Sequence, residues 1–125
     1  MAARSISLVG ETSVILEDVA NRLELLEEDY GKDIVVKIVE TFIPDAEVRI
    51  ERIDRAIRQE DSRALEEAAH GLKSGAANIG ATEMARLCGQ LETQGELGDI
   101  GDAEEVMKSL MASWSRVRTE MARYR

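Results

Sequence analysis

The chain holds one histidine, His70, in the run Ala69-His70-Gly71-Leu72-Lys73-Ser74-Gly75-Ala76-Ala77-Asn78-Ile79-Gly80. An imidazole with an ordinary pKa of about 6.5 is largely neutral near pH 7 and can act as a nucleophile. Apolar residues of this stretch recur at helical spacing, about 100° per residue. Leu65, Ala68, Leu72, Ala76 and Ile79 fall on one side. On the same wheel His70 lies roughly 160–200° from the centre of that stripe. It shares the outer face with Glu66, Glu67, Lys73, Ser74 and Ala77. The spacing predicts a helix that presents the imidazole to solvent with a lysine one turn on. Glycine inside a helix costs about 1 kcal/mol relative to alanine. Gly71 and Gly75 nevertheless sit within about a turn of His70, where missing side chains would let a partner approach closely.

A carboxylate should orient the ring. A turn centred near Ala81 places His70 and Glu92 eleven residues to either side, so they share a level on adjacent antiparallel helices. Glu92 is expected to accept the Nδ1 proton, leaving Nε2 as the attacking atom.

The longer string resembles the histidine-containing phosphotransfer (HPt) domain of two-component phosphorelays. The family pattern is His, any residue, a hydrophobic residue, Lys, Gly or Ser, small residues, then Gly ten positions after the His. His70, Leu72, Lys73, Ser74, Gly75 to Ala77 and Gly80 fit it, and Ala81-Thr82-Glu83-Met84, Leu87-Cys88 and Leu91-Glu92 extend it. Upstream, Phe42, Asp45 and the Ile50-to-Ile57 region followed by Glu60-Asp61 extend it to roughly residues 30–122. The family commonly has Gln or Glu at the position of Glu92.

The resemblance implies an all-α antiparallel four-helix bundle, here with an extra N-terminal helical segment. It implies a phosphorelay intermediate that takes a phosphoryl group on His70 from a receiver-domain aspartate and passes it to another receiver. Lys73 would partly neutralise that group. Glu67, Gly71, Ser74, Gly75, Ala77 and Asn78 would form the docking face, with residues near Ile43 contributing. The partners would be receiver domains of response regulators or of a hybrid sensor kinase. This chain would bind no cofactor; Mg2+ would come with the receiver. It would be a phosphocarrier rather than a complete enzyme, free-standing or part of a hybrid sensor histidine kinase. The rival readings are a helical adaptor that binds a receiver or kinase without accepting phosphate, and the phosphodonor domain of a chemotaxis-type kinase.

The elements that must position His70 follow from the same periodicity. Residues 1–12 read as a flexible tail and 13–125 as the domain. Val14 to Leu26 is amphipathic, with Val19, Leu23 and Leu26 at helical spacing. Ile34 to Val39 could form a strand by itself. Val35, Ile38, Val39 and Phe42 also fit one helical face, and no partner strand exists in the sequence, so a helix is expected. Pro44 predicts a boundary or kink before a helix to Arg58 that buries Ala46, Ile50, Ile53 and Ile57. Asp61 or Ser62 should cap the helix carrying His70, and Gly80 should end it. The next helix, Thr82 to about Gly95, turns Met84, Leu87, Cys88 and Leu91 inward. Asp102 with Glu105 resembles a capping box for a last helix that buries Val106, Leu110, Trp114, Val117 and Met121.

Composition narrows the function classes. The 125 residues suffice for one core, and a net charge of −9 argues against binding a nucleic-acid backbone. One Cys and one His provide neither a catalytic triad nor a metal set. No glycine-rich phosphate loop precedes a helix, so an ATP site is not expected. No apolar run approaches about 18 residues and no signal-peptide pattern is present. A cytoplasmic monomer without membrane contact is the expectation.

Overall fold

The computed structural model describes the backbone from Ser7 and side chains from Asp18 to Arg125. The described residues form five helices: α1 (Ser7–Tyr30), α2 (Lys32–Arg58), α3 (Ser62–Asn78), α4 (Thr82–Leu97) and α5 (Ala103–Ala122). Connections of a few residues make successive helices antiparallel neighbours. Helices α2 to α5 close a four-helix bundle, and α1 packs on α2 and α5 and reaches α4.

The core is the sum of the apolar stripes. In α5, Val106, Leu110, Trp114, Val117 and Met121 are buried; in α4, Met84, Leu87, Cys88 and Leu91 are. In α3 the inward residues are Leu65, Ala69, Leu72 and Ala76, with Ala68 at the edge rather than the centre. Each large aliphatic side chain so buried contributes about 1.5–3 kcal/mol.

Helix α2 departs from expectation. The segment that could have been a strand is helical, and Pro44 lies inside one unbroken helix. A proline there forfeits a backbone donor and crowds the preceding turn, at a cost of about 3 kcal/mol. The stripe Val35, Val39, Ile43, Ala46, Ile50, Ile53 and Ile57 runs straight past it. A break would turn half of that stripe out of the core, so packing holds the helix together. Ile43, expected near the docking face, is only 4% exposed and belongs to the core.

The α3–α4 hairpin sets the site. Asp61 caps α3 by accepting a hydrogen bond from Ala64 N at 3.1 Å. Gly80 ends the hairpin turn with φ +80°, and a Cβ there would stand 2.8 Å from the Asp18 carbonyl oxygen of α1. Gly95, expected near the helix end, is buried inside α4. A Cβ on it would lie 2.7 Å from both Glu66 N and Ser62 O, so the two backbones touch there. The capping box at α5 does not form: Asp102 makes no side-chain cap, and Glu105 N bonds to the Asp102 carbonyl at 3.1 Å.

Helix α1 extends beyond the expected Val14–Leu26 at both ends, and the anticipated tail boundary at residue 12 falls within it. Residues 1–6 of that tail lie outside the described residues. Val19 and Leu23 are fully buried. Arg22 Nη1 donates to the Asn78 carbonyl at 2.8 Å, and Thr82 Oγ1 donates to Asp18 Oδ2 at 2.9 Å. Thus α1 braces the hairpin turn and satisfies a carbonyl left open at the α3 terminus. No helix of the described residues is long and apolar enough to cross a membrane.

Candidate functional site

His70 stands on the outer face of α3 with its side chain 63% exposed, as its place on the helical wheel predicts. Its ring is not loose. Nδ1 lies 2.7 Å from Glu92 Oε2 on α4. A carboxylate can only accept, so this bond puts the proton of the neutral imidazole on Nδ1 and the lone pair on Nε2. The equal offsets from the turn at Ala81 bring the two residues level. The close backbone contact at Gly95 holds α4 near enough for the short Glu92 side chain to reach.

Lys73 completes a three-residue chain. Its Nζ lies 2.5 Å from Glu92 Oε1, so each carboxylate oxygen has its own partner. The lysine stem reaches α4 across Gly89, where a Cβ would lie 3.5 Å from Lys73 Cδ. The Lys73 ammonium, first, and the His70 bond hold the Glu92 carboxyl below its ordinary value of 4.5, against the opposing effect of partial burial. Glu92 is therefore an anion throughout the neutral range.

The expected docking residues do not all face solvent. Glu67, Ser74, Ala77 and Asn78 are exposed, whereas Gly71 and Gly75 are half-buried. Ser74 Oγ turns back to the His70 carbonyl at 3.4 Å. The space over the two glycines is filled from α2. A Cβ at Gly71 would collide with Arg49 Nη1, and one at Gly75 would stand 3.3 Å from Phe42 Cε1. Phe42 in turn packs on Trp114 of α5, with ring centroids 6.0 Å apart. These glycines thus admit side chains of the same molecule, a role the sequence reading did not give them. Arg49, Gly89 and Gly95 are not among the residues expected at the site. Gly89 alone left a signal, lying one helical turn before Glu92 on the same face.

Cys88 is fully buried behind the site, and burial pushes its thiol up to about 12. Among the described residues no group of three or more His, Cys, Asp or Glu is placed to hold a metal ion.

An exposed imidazole with its tautomer fixed from an adjacent helix is the arrangement that the sequence resemblance implied. Residues 37–125 match the family model of the Hpt domain. The chain belongs to the Hpt family.

Two relatives place this Hpt chain further. Multistep phosphorelay regulator 1 of Schizosaccharomyces pombe is 26% identical over 90 residues, which cover 72% of this chain and 30% of the relative. The chain thus spans less than a third of that protein's length. The crystal structure of histidine-containing phosphotransfer protein B (HptB) from Pseudomonas aeruginosa PAO1 superimposes with a TM-score of 0.74 at 29% identity. That match covers 84% of this chain and 94% of the other. Helix α1 precedes the residues matched by the family model, yet it is packed into the bundle around the Hpt site.

Proposed function

We propose that this Hpt domain is a phosphorelay intermediate in which His70 Nε2 carries the phosphoryl group between receiver-domain aspartates. The observation that supports this most is the 2.7 Å bond from His70 Nδ1 to Glu92 Oε2. With the proton held on Nδ1, Nε2 attacks the phosphorus of an aspartyl phosphate. The N–P bond forms as the P–O bond to the aspartate breaks, and the carboxylate leaves. The ring becomes a phosphorylated imidazolium whose positive charge faces the Glu92 carboxylate, so no proton need move during the transfer. The reverse steps deliver the group to a second receiver.

Lys73 holds the Glu92 carboxylate in place and keeps it ionised, and its remaining donors partly neutralise the phosphoryl group. Positioning and charge neutralisation account for most of the acceleration in phosphoryl transfer. Mg2+ enters with the receiver. The docking face is the exposed surface of α3 around Glu67, Ser74, Ala77 and Asn78. The exchange takes place between a monomer of this chain and its receivers in the cytoplasm.

Transfer of label from a phosphorylated receiver tests the reading, with wild type beside His70→Gln. A neutral-pH gel is needed because phosphohistidine is acid-labile. Label on wild type and none on the variant is expected. A receiver that binds both proteins and labels neither would leave an adaptor in place of a carrier.

A further inference from the structure

The two flanks of His70 carry opposite charge. On the α4 side the ring borders an open cleft lined by Glu66, Glu67, Glu92 and Glu96. Arg63 on that side is paired with Glu67 at 3.7 Å. The Lys73 ammonium is engaged by Glu92. A phosphoryl group brings about −1.5 to −2 charge near pH 7, more than the one Lys73 ammonium on this flank neutralises.

The α2 side is basic. Arg49, Arg52 and Arg55 line one groove there, which Glu67 borders as well, and Arg55 is paired with Glu51 at 3.2 Å. Arg49 is the member nearest the histidine along α3. Its Nε is fixed on Asp45 Oδ2 at 2.8 Å, while Nη1 occupies the space that a Cβ of residue 71 would fill. The guanidinium therefore lies across the α3 backbone beside the residue that follows His70. Among the described residues its only hydrogen bond is the one from Nε to Asp45. Both Nη groups keep their donors.

We infer that Arg49 is a phosphoryl-binding residue of this site. Its Nη1 and Nη2 donate to the phosphoryl oxygens on His70 Nε2 while Nε remains on Asp45. The inference rests on His70 being the carrier. A guanidinium suits the task because its planar fork can meet two oxygens at once. It also gives Gly71 a task within the chain, since any side chain there displaces the guanidinium.

Charging of the full chain by phosphoramidate, a small phosphoryl donor, tests the site without a receiver. In Arg49→Gln, charging of His70 should slow by about threefold to fivefold, the scale of one partly exposed charged contact. The phosphorus resonance should also titrate at higher pH, because losing a nearby cation disfavours the dianion. Arg49→Lys should recover part of both effects, and Gly71→Ala should shift both in the same direction as Arg49→Gln. Arg52→Gln should match wild type. The double variant D45N/R49Q should keep the defect, which separates loss of the guanidinium from the carboxylate it frees. Wild-type charging and titration in Arg49→Gln, recovery in the double variant, or an equal defect in Arg52→Gln would each overturn the role of Arg49 while leaving His70 as carrier. Failure of the wild type to charge at His70 would overturn both readings.

Discussion

Glu92 holds His70 with one carboxylate oxygen and Lys73 with the other, at 2.7 Å and 2.5 Å. A lysine on the histidine's own helix thus acts on the imidazole through a carboxylate on the next. Removing that carboxylate should cost more than replacing it with an amide. Glu92→Ala loses the acceptor for Nδ1–H and should slow charging of His70 by about tenfold, the lower end for losing a residue that orients a reactive imidazole. Glu92→Gln keeps an acceptor oxygen and should retain most of the rate. Labelled transfer from one receiver to the three proteins measures this; equal rates for alanine and glutamine would remove the tautomer argument.

The same carboxylate makes stability depend on pH. Its pKa is lowered from 4.5 in the folded chain, mainly by Lys73. A group depressed on folding contributes stability above its unfolded pKa and loses it as pH falls through the folded value. The contribution should therefore be intact at neutral pH and be lost in acid, as pH falls below the ordinary value of 4.5 and through the lowered one. Urea midpoints of wild type and Glu92→Gln should differ at neutral pH and converge in acid. A gap that persisted unchanged into acid would show that ionisation of Glu92 stabilises nothing.

Gly95→Ala tests the helix contact under the site. Helix propensity alone favours alanine by about 1 kcal/mol. The new Cβ would meet backbone atoms of α3 at 2.7 Å, and backbone cannot step aside as a side chain can. A net loss of about 1–2 kcal/mol is expected from such overpacking, read as a lower Tm in thermal denaturation. A higher Tm would mean the hairpin opens without cost.

Leu23→Ala asks whether α1 is integral to the domain, since it precedes the family match at residues 37–125. Leu23 is fully buried. Its truncation in the full chain should cost about 2–4 kcal/mol, as for other buried leucines. Urea unfolding by circular dichroism should show a single transition shifted to lower concentration. A shift near zero would mean that α1 only rests on the bundle.

Cys88 supplies a probe of folding. With its thiol pushed up to about 12 by burial, it should not react with a disulfide reagent at neutral pH. Reaction should follow unfolding in denaturant. Rapid labelling of the native chain would show that α4 opens readily behind the site.

By itself, the sequence determined the elements and their inner faces. The helical spacing in α4 and α5 is regular enough that every inward residue expected there is buried. The His70–Glu92 pair was legible as well, because a hairpin with a known turn turns sequence distance into height along the helices. Pro44 marks no helix boundary, because the stripe from Val35 to Ile57 gains more by staying continuous than the proline costs the local backbone. The capping box at Asp102 was misread because a matching pair of residue types does not fix their rotamers.

Only the tertiary structure decided what surrounds the histidine laterally. Arg49 sits twenty-one residues before His70 on another helix, and no periodicity within one helix says which side chain of a neighbour crosses a given glycine. The same holds for Lys73, whose flexible stem could follow solvent or a partner. It meets Glu92 because Gly89 leaves room and α3 and α4 touch at Gly95. Patterns along one helix fix which face is buried; the approach of two helices depends on the side chains missing between them.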